Sequence, residues 1–297
     1  MSIQNLLQSL LEERLQSIVK NQRFSVLESD DIKETFGKKN LLLMKREAEI
    51  IKASVKCKPI AENEYGNGWE YIYSSQFQYL IKQQEHFYVE EEVQYRKAYF
   101  ENGRIVLDIQ YEVDLSKSCE AVDYRVIEKG SSYYSRLNSV KYAELYWKER
   151  NPDFPNYQNN CTNYISQCLL AGLAPMAKYG DERNGWWHGG NKCSLSWSTS
   201  HSLRWFLSGA KYGLRGKEVK SAKNLLLGDI IFYDFQGDGR WDHVTIVTAK
   251  DKSGQPLVNA NTFDCRKRYW TYEDSTAYTP NIQYKFIHIV DDKTSEL

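Results

Sequence analysis

One short segment, residues 159 to 172, constrains this chain more than any other. Asn159 and Asn160 precede a cysteine, Cys161. The apolar residues that follow recur at helical spacing until Gly172 interrupts them: Tyr164, Ile165, Cys168, Leu169 and Ala171. The pattern predicts a helix with Cys161 in its first turn. There, unpaired backbone N–H groups and the positive end of the helix dipole favour a thiolate over a thiol.

A second segment, later in the chain, can supply a base. The run from Asp229 to Tyr233 and the run from His243 to Val247 are rich in β-branched and aromatic residues, and a Gly237-Asp238-Gly239 turn separates them. This predicts a hairpin in which His243 begins the second strand. Alone, such a cysteine is usually a buried apolar residue and such a histidine a structural one. In this order, a helix-borne cysteine and then a strand-borne histidine, they match the arrangement of papain-like folds.

Together the motifs resemble a known family. The resemblance rests on these segments: Tyr142 to Trp147 through Asn151-Pro152, Asn160 to Gln167, the spaced tryptophans, Gly228 to Tyr233, and Asp242 to Val247. They are similar to the bacterial putative amidase domains, distant relatives of the CHAP-type and NlpC-type cell-wall amidases. The resemblance covers about the last 160 residues and implies an α+β, papain-like catalytic domain over residues 138–297.

The resemblance also implies catalytic roles. Cys161 is the expected nucleophile and His243 the expected base, and a polar residue on the following strand is the third member. Alignment places Asn261 there, and Asn259 is the alternative because it shares the same strand face. The family usually has Asp immediately before the nucleophile, whereas this chain has Asn160. The missing negative charge favours the thiolate.

The implied chemistry is hydrolysis of an amide or peptide bond through a thioester. The backbone N–H of Cys161, together with one side-chain donor, would hold the oxyanion. Tyr157, Asn159 and Asn160 are the candidates for that donor, and the sequence does not choose among them. The implied substrates extend to cell-wall fragments.

A tryptophan-rich stretch lies between the two segments. Trp187 and Trp197 either wall a substrate groove for a sugar or peptide or fill a small core. Trp205 is expected to pack with Leu203, Phe206 and Leu207 on a helix from Ser202 to Ser208. His188, Cys193 and His201 lie nearby, but their spacing does not match a zinc site. We therefore expect no metal and no cofactor.

Composition limits the partners and the compartment. The chain has 39 basic and 39 acidic residues among 297, so it offers no electrostatic reason to expect nucleic acid or an anionic membrane. No apolar run is long enough to span a bilayer. The first residues lack the basic region and cleavage site of a signal peptide, so the chain as given is predicted to be cytoplasmic. Access to wall material would then require lysis or another export route.

The first half, residues 1–137, predicts a separate α+β domain of unknown role. Apolar residues from Ile3 to Val19 recur at helical spacing, and a second helix is expected around Leu41 to Ala53. Strand-like runs follow over Trp69 to Tyr73, Phe87 to Tyr99, Ile105 to Val113 and Asp123 to Ile127, with an Asn102-Gly103 hairpin turn. These elements predict helices on a curved antiparallel sheet. The boundary is expected within Lys129 to Asn138.

Two alternatives to an amidase remain open from the sequence. The same cysteine and histidine could transfer or hydrolyse an acyl group as a thiol acyltransferase or thioesterase. The chain could also be a binding module that keeps the fold without turnover. The reactivity of Cys161 towards alkylation separates the binding module from the two enzymes.

Overall fold

The fold is α+β with a mostly antiparallel sheet, which confirms the predicted class. The computed structural model describes residues 3–20, 30–112, 114, 134–189 and 192–291, and only the backbone of residues 30 and 31. The chain divides into two compact units: residues 1–114 with 271–278 form unit 1, and residues 115–270 with 279–297 form unit 2. The predicted boundary after residue 137 stays a prediction, because most residues around it lie outside the described ranges.

Where the structure describes it, unit 1 consists of a four-stranded antiparallel meander and two helices. Its elements are α1 (Ile3–Val19), α2 (Asp30–Lys45), β1 (Ala48–Tyr65), β2 (Gly68–Gln83), β3 (His86–Glu101) and β4 (Arg104–Gln110). The strands pair in chain order. Helix α1 buries Leu7, Leu11 and Ile18 and packs on β1, so the amphipathic helix predicted from its apolar spacing is confirmed.

Two sequence predictions in unit 1 have different outcomes. The Asn102-Gly103 turn is confirmed: both residues have positive φ, 50° and 74°, as a two-residue hairpin turn requires. The helix expected as far as Ala53 is wrong beyond Lys45, because β1 begins at Ala48. Strand β1 pairs with β2 along its whole length, and those backbone hydrogen bonds override the local helical pattern. The strand predicted over residues 123–127 lies outside the described residues.

The interior of unit 1 contains charged side chains that neutralise one another. The carboxylate of Asp108 accepts hydrogen bonds from Arg14 at 2.5 Å and from Arg96 at 3.1 Å. The ammonium of Lys39 pairs with Glu90 and, at 3.1 Å, with Asp274. All six side chains are buried. Burial of charge is tolerated here because each charge has an opposite partner.

In its described residues, unit 2 has four helices and a series of antiparallel strands. Its elements are α3 (Arg136–Tyr146), α4 (Cys161–Ala171), β5 (His188–Gly189), β6 (Lys192–Cys193), α5 (Leu195–Ser198), α6 (Ser200–Gly209), β7 (Gly216–Val219), a 3-10 turn (Ala222–Asn224), β8 (Ile230–Asp234), β9 (His243–Lys250), β10 (Pro256–Ala260), β11 (Cys265–Tyr269) and β12 (Gln283–Ile289). Within this unit the strand order is β11-β10-β9-β8-β12-β7.

The predicted hairpin of unit 2 is confirmed as β8 and β9. His243 begins β9 opposite Tyr233. In the turn, Gly237 and Gly239 have φ of 73° and 89°, and their N–H groups each donate to the carboxylate of Asp234 at 2.7 Å. Helix α4 packs on β9 and on α3, so the hairpin and the predicted nucleophile helix belong to one core.

None of the helices in the described ranges is long and apolar enough to cross a bilayer.

Candidate active site

Cys161 is the first residue of α4, as the sequence predicted. Its side chain is 6% exposed, so the sulfur lies just beneath the surface. The Sγ atom is 3.8 Å from the hydroxyl of Thr162 and 3.8 Å from that of Ser200, and these two hydroxyls are 2.8 Å apart. Ser200 is the first residue of α6. The sulfur therefore lies where two helices begin, with two hydroxyl groups beside it.

The backbone at this point is held by Thr262. Its hydroxyl oxygen accepts hydrogen bonds from the N–H of Asn160 at 2.8 Å and from the N–H of Cys161 at 3.1 Å. Thr262 has φ of 88°, in the left-handed region that β-branched residues rarely adopt. The Cys161 N–H, expected to bind the oxyanion, is thus already bonded to Thr262.

Asn261 is hydrogen-bonded to Asn160, the residue that precedes Cys161. Its side-chain oxygen accepts from the amide of Asn160 at 2.9 Å, and its own amide donates to the carbonyls of Trp147 and Tyr146 at 2.6 and 3.3 Å. Asn160 also accepts from the N–H of Tyr157 at 3.2 Å. Asn261 therefore positions the start of α4, rather than orienting the base by a hydrogen bond.

Asn259, the alternative third member, has partners of its own. Its side-chain oxygen accepts from the Thr248 hydroxyl at 2.8 Å and from the Lys267 N–H at 2.9 Å. Its amide donates to Glu144 at 3.0 Å. Within the described part of the chain, neither Asn259 nor Asn261 forms a hydrogen bond with His243.

His243 is buried against the aromatic side chains of its own hairpin. Its ring centroid is 5.6 Å from that of Tyr233 and 6.1 Å from that of Phe235. Opposed residues of an antiparallel pair share a face, so His243 lies on the face of Tyr233. The other face carries Val244 and Ile246, which belong to the same core cluster as Cys161. The alternation therefore points His243 away from the face on which α4 packs.

The predicted contact between sulfur and imidazole is not formed in this structure. Among the described residues, the hydrogen-bond contacts of Sγ are those to Thr162 and Ser200. Burial, with a smaller contribution from the positive charge of Arg268, lowers the pKa of His243 to about 3. The ring is therefore neutral at physiological pH, which is the protonation state that a proton acceptor needs.

Tyr157, another candidate oxyanion donor, lies at the edge of the same region. Its hydroxyl is 3.5 Å from the sulfur of Cys193. The amide of Asn160 donates to Asn261, so that candidate is engaged as well. Among the residues that the structure describes, no group of three or more His, Cys, Asp or Glu side chains is placed to hold a metal ion.

Trp187 and Trp197, for which the sequence left a substrate groove and a small core as alternatives, are buried. Trp187 is 3% exposed and Trp197 is fully buried. The indole N–H of Trp197 donates to the side chain of Asn163 at 2.8 Å, and that of Trp186 donates to Ser166 at 3.1 Å. Both acceptors lie on α4, so these indoles hold α4 from within and leave little surface for a ligand.

Trp205 is exposed, and the expectation that it packs in the core is wrong. Its side chain is 57% exposed, whereas Leu203 and Leu207 are fully buried. Residues four apart share a helix face, while a residue midway between them points to the opposite side. Trp205 therefore faces outward on α6, where its indole N–H donates to His201 at 3.1 Å.

Unit 2 coincides largely with a known family of domains. A family model described as a putative amidase domain matches residues 133–287. The chain belongs to the putative amidase domain family. The name indicates a hydrolase acting on amides, and the matched region includes Cys161, Thr262 and the whole of the β8–β9 hairpin.

Two relatives of this amidase-domain protein come from Bacillus subtilis (strain 168). Uncharacterized protein YhbB is 41% identical over 306 aligned positions, which cover 99% of this chain and 98% of the relative. Uncharacterized protein YjcM is 31% identical over 126 positions, covering 39% of this chain and 28% of the relative. The first relative is similar along both units. No solved structure matches the chain.

Three residues of the site were not predicted from the sequence: Thr162, Ser200 and Thr262. Hydroxyl residues are common in loops and at helix starts, so nothing in their spacing distinguishes them. Thr262 follows Asn261 directly, which is the nearest signal the sequence contained.

Proposed function

We propose that this protein is a cysteine-dependent amide hydrolase with a papain-like catalytic domain over residues 138–297. The observation that supports this most strongly is the position of Cys161 at the start of α4, inside the amidase-domain match. The start of a helix stabilises a thiolate through its dipole, and hydroxyls such as Ser200 can donate to the sulfur. The kinship to CHAP-type and NlpC-type amidases is part of this proposal.

The reaction proceeds in two steps. The thiolate of Cys161 attacks the amide carbonyl carbon, a C–S bond forms, and the carbonyl oxygen becomes an oxyanion. The C–N bond then breaks, and the amine leaves with the proton that the thiol gave up. Water adds to the thioester, the C–S bond breaks, and a carboxylic acid and the thiol are released. The Cys161 N–H can donate to the oxyanion only after its hydrogen bond to the Thr262 hydroxyl has broken.

His243 is the proposed proton carrier. It begins the strand on which α4 packs, and its ring is neutral. Its side chain now lies with Tyr233 and Phe235, so catalysis through His243 requires that the ring move to within about 3 Å of the sulfur. Catalytic hydrogen bonds often tighten only when substrate is bound.

The proposed substrates are amides or peptides, including peptide fragments of cell-wall type. The test is turnover of fluorogenic peptide amides by matched cysteine variants. Cys161→Ala is expected to abolish turnover and leave the melting temperature nearly unchanged. Cys168→Ala removes a buried sulfur from the same helix and should retain turnover. Turnover retained in Cys161→Ala would refute the nucleophile. Acyl esters are assayed in parallel with the peptide amides. Faster turnover of the esters would favour an acyltransferase or thioesterase.

A second candidate is a binding module that keeps the fold without turnover. The separation of Cys161 from His243 favours it, because a hydrolase needs a base that reaches the thiol. In that case wild-type protein binds peptides as Cys161→Ala does, and His243→Gln changes neither binding nor the alkylation of Cys161. A hydrolase should instead show slower alkylation when His243 is replaced.

A further inference from the structure

Helix α6 connects the surroundings of the sulfur to an exposed aromatic surface. Ser200, whose hydroxyl is 3.8 Å from the Cys161 sulfur, and Arg204 are four residues apart. They therefore lie on the same face of α6, separated by about 6 Å along its axis. Arg204 therefore lies about one turn beyond Ser200 on α6, on the face whose first residue contacts the Cys161 sulfur.

The guanidinium of Arg204 lies within cation–π distance of two indoles. Its central carbon is 3.9 Å from the ring centroid of Trp205 and 6.0 Å from that of Trp241. Trp205 is largely exposed, while Trp241 is buried and precedes His243 by two residues. Stacking on aromatic rings holds the plane of a guanidinium but leaves its N–H groups free to bind in that plane.

The N–H groups of Arg204 have no acceptor among the described residues. Nε and Nη1 are buried without a hydrogen bond, and no carboxylate of the described ranges pairs with the side chain. Nη2 is therefore the nitrogen that remains open to solvent. A partly buried cation without a partner is costly, and a carboxylate can accept a charge-assisted hydrogen bond from the N–H groups of Nη2.

We propose that Arg204 binds a carboxylate of the substrate beside the nucleophile. This inference rests on the proposed function and adds to it the substrate class: an amide that carries a negative charge. Since Arg204 lies about 6 Å along α6 from Ser200, that carboxylate is within about two or three residues of the scissile amide. The exposed face of Trp205 forms the rest of this subsite and packs on the apolar part of the same group.

The test measures binding separately from turnover. Acetylated and amidated short peptide pools, each with either Glu or Gln fixed at one position, are titrated against the Cys161→Ala protein. We expect at least one position at which the Glu pool binds about tenfold more tightly than the Gln pool, as a charge-assisted hydrogen bond contributes. The preference should weaken as salt is raised.

Replacement of Arg204 in the same background should remove that preference. Arg204→Gln and Arg204→Met are expected to bring the Glu-to-Gln affinity ratio to about one, whereas Arg204→Lys keeps part of it because the charge remains without the planar fork. Arg183→Gln, at an exposed arginine of the same unit, is the matched control and should keep the full ratio. Circular dichroism confirms that each variant is folded.

The inference is overturned if the Glu and Gln pools bind with equal affinity at every position. It is also overturned if neither pool binds. A Glu preference that persists in both Arg204→Gln and Arg204→Met would overturn it too. Turnover of peptide amides by the wild-type protein is recorded in parallel. Turnover without any Glu preference contradicts this inference alone, and an Arg204-dependent preference without turnover contradicts the proposed hydrolase alone.

Discussion

The sulfur of Cys161 has an environment that no single residue creates. Its own helix begins there, α6 begins at Ser200, and both helix dipoles place positive potential near the thiol. The hydroxyls of Thr162 and Ser200 can each donate to a thiolate. The helix dipoles and the hydroxyl groups both stabilise the thiolate. A change at Ser200 should therefore alter the reactivity of Cys161.

Ser200→Ala should slow the alkylation of Cys161 near neutral pH. Loss of one hydrogen bond to a thiolate, at about 1 kcal/mol, corresponds to roughly a fivefold lower rate. The measurement is iodoacetamide labelling followed by mass spectrometry of the peptide that contains Cys161. Ser208→Ala, on an exposed turn of the same helix, is the control and should not change the rate. An unchanged rate in Ser200→Ala would show that its hydroxyl does not serve the thiolate.

The helix that begins at Cys161 could be predicted because Asn160, Cys161 and Gly172 are local signals of a helix and its ends. The partners of Cys161 could not. Ser200 and Thr262 reach the sulfur and its N–H from α6 and from the end of β10, and contacts of that range depend on packing. The strand position of His243 was predictable, but period-two alternation does not say which face meets α4.

At the scale of elements, the turn between β3 and β4 depends on backbone conformation rather than on space. A Cβ added to Gly103 would meet nothing within 4 Å, and the same is true of Gly37 inside α2. The two glycines differ in backbone conformation: Gly103 has a left-handed φ of 74°, whereas Gly37 is a helical residue of α2. Gly103→Ala should lower the free energy of unfolding by about 1 kcal/mol, while Gly37→Ala should raise it by about 0.5 to 1 kcal/mol. Urea unfolding of both variants measures this, and equal signs would contradict it.

Strand β9 carries a buried imidazole that makes stability depend on pH. The unfolded chain takes up a proton on His243 near pH 6.5, whereas burial delays protonation of the folded chain to about pH 3. Between these values the unfolded state binds more protons, so the free energy of unfolding falls as pH falls, by up to about 5 kcal/mol.

His243→Gln should therefore flatten the stability profile between about pH 6.5 and pH 3. The measurement is denaturant unfolding of both proteins at several pH values within this window. Carboxylates that titrate in the same range contribute equally to both proteins, so the difference between the two profiles isolates the histidine. Parallel profiles would mean that the ring is accessible to protons in the folded state.

Elements were predicted well where local pattern and pairing agree, and poorly where they conflict. Helix α1 and the Asn102-Gly103 hairpin follow from spacing and turn chemistry. Strand β1 was not predicted, because residues 48–53 carry a helical pattern that pairing with β2 overrides. The outward position of Trp205 was not predicted, although its place midway between Leu203 and Leu207 on one helix implies it.

At the scale of the whole molecule, the chain is not divided into two successive pieces. Residues 271–278 belong to unit 1, although they lie between β11 and β12 of unit 2 in sequence. The side chain of Asp274 reaches Lys39 of α2 at 3.1 Å, and Glu273 reaches Lys45 at 2.6 Å. Unit 1 therefore includes a late segment of the chain in its buried charge network.

Lys39→Met should destabilise the protein by about 3 to 5 kcal/mol, because Glu90 and Asp274 would lose their buried counter-ion. Lys38→Met, at the neighbouring position with an exposed partner in Glu34, should cost less than about 0.5 kcal/mol. Chemical denaturation followed by intrinsic fluorescence compares them. A small effect at Lys39 would mean that the network contributes little to the stability of unit 1.

If Cys161 is the nucleophile of an amide hydrolase, it must carry an acyl group during turnover, and this can be measured directly. Wild-type protein is mixed with a peptide amide, quenched in acid, digested and analysed by mass spectrometry. If Cys161 is the nucleophile, the peptide that contains it gains a mass equal to the acyl part of the substrate, and the Cys161→Ala protein shows no such gain. Turnover of the same amide with no adduct on Cys161 under any quench time would contradict it.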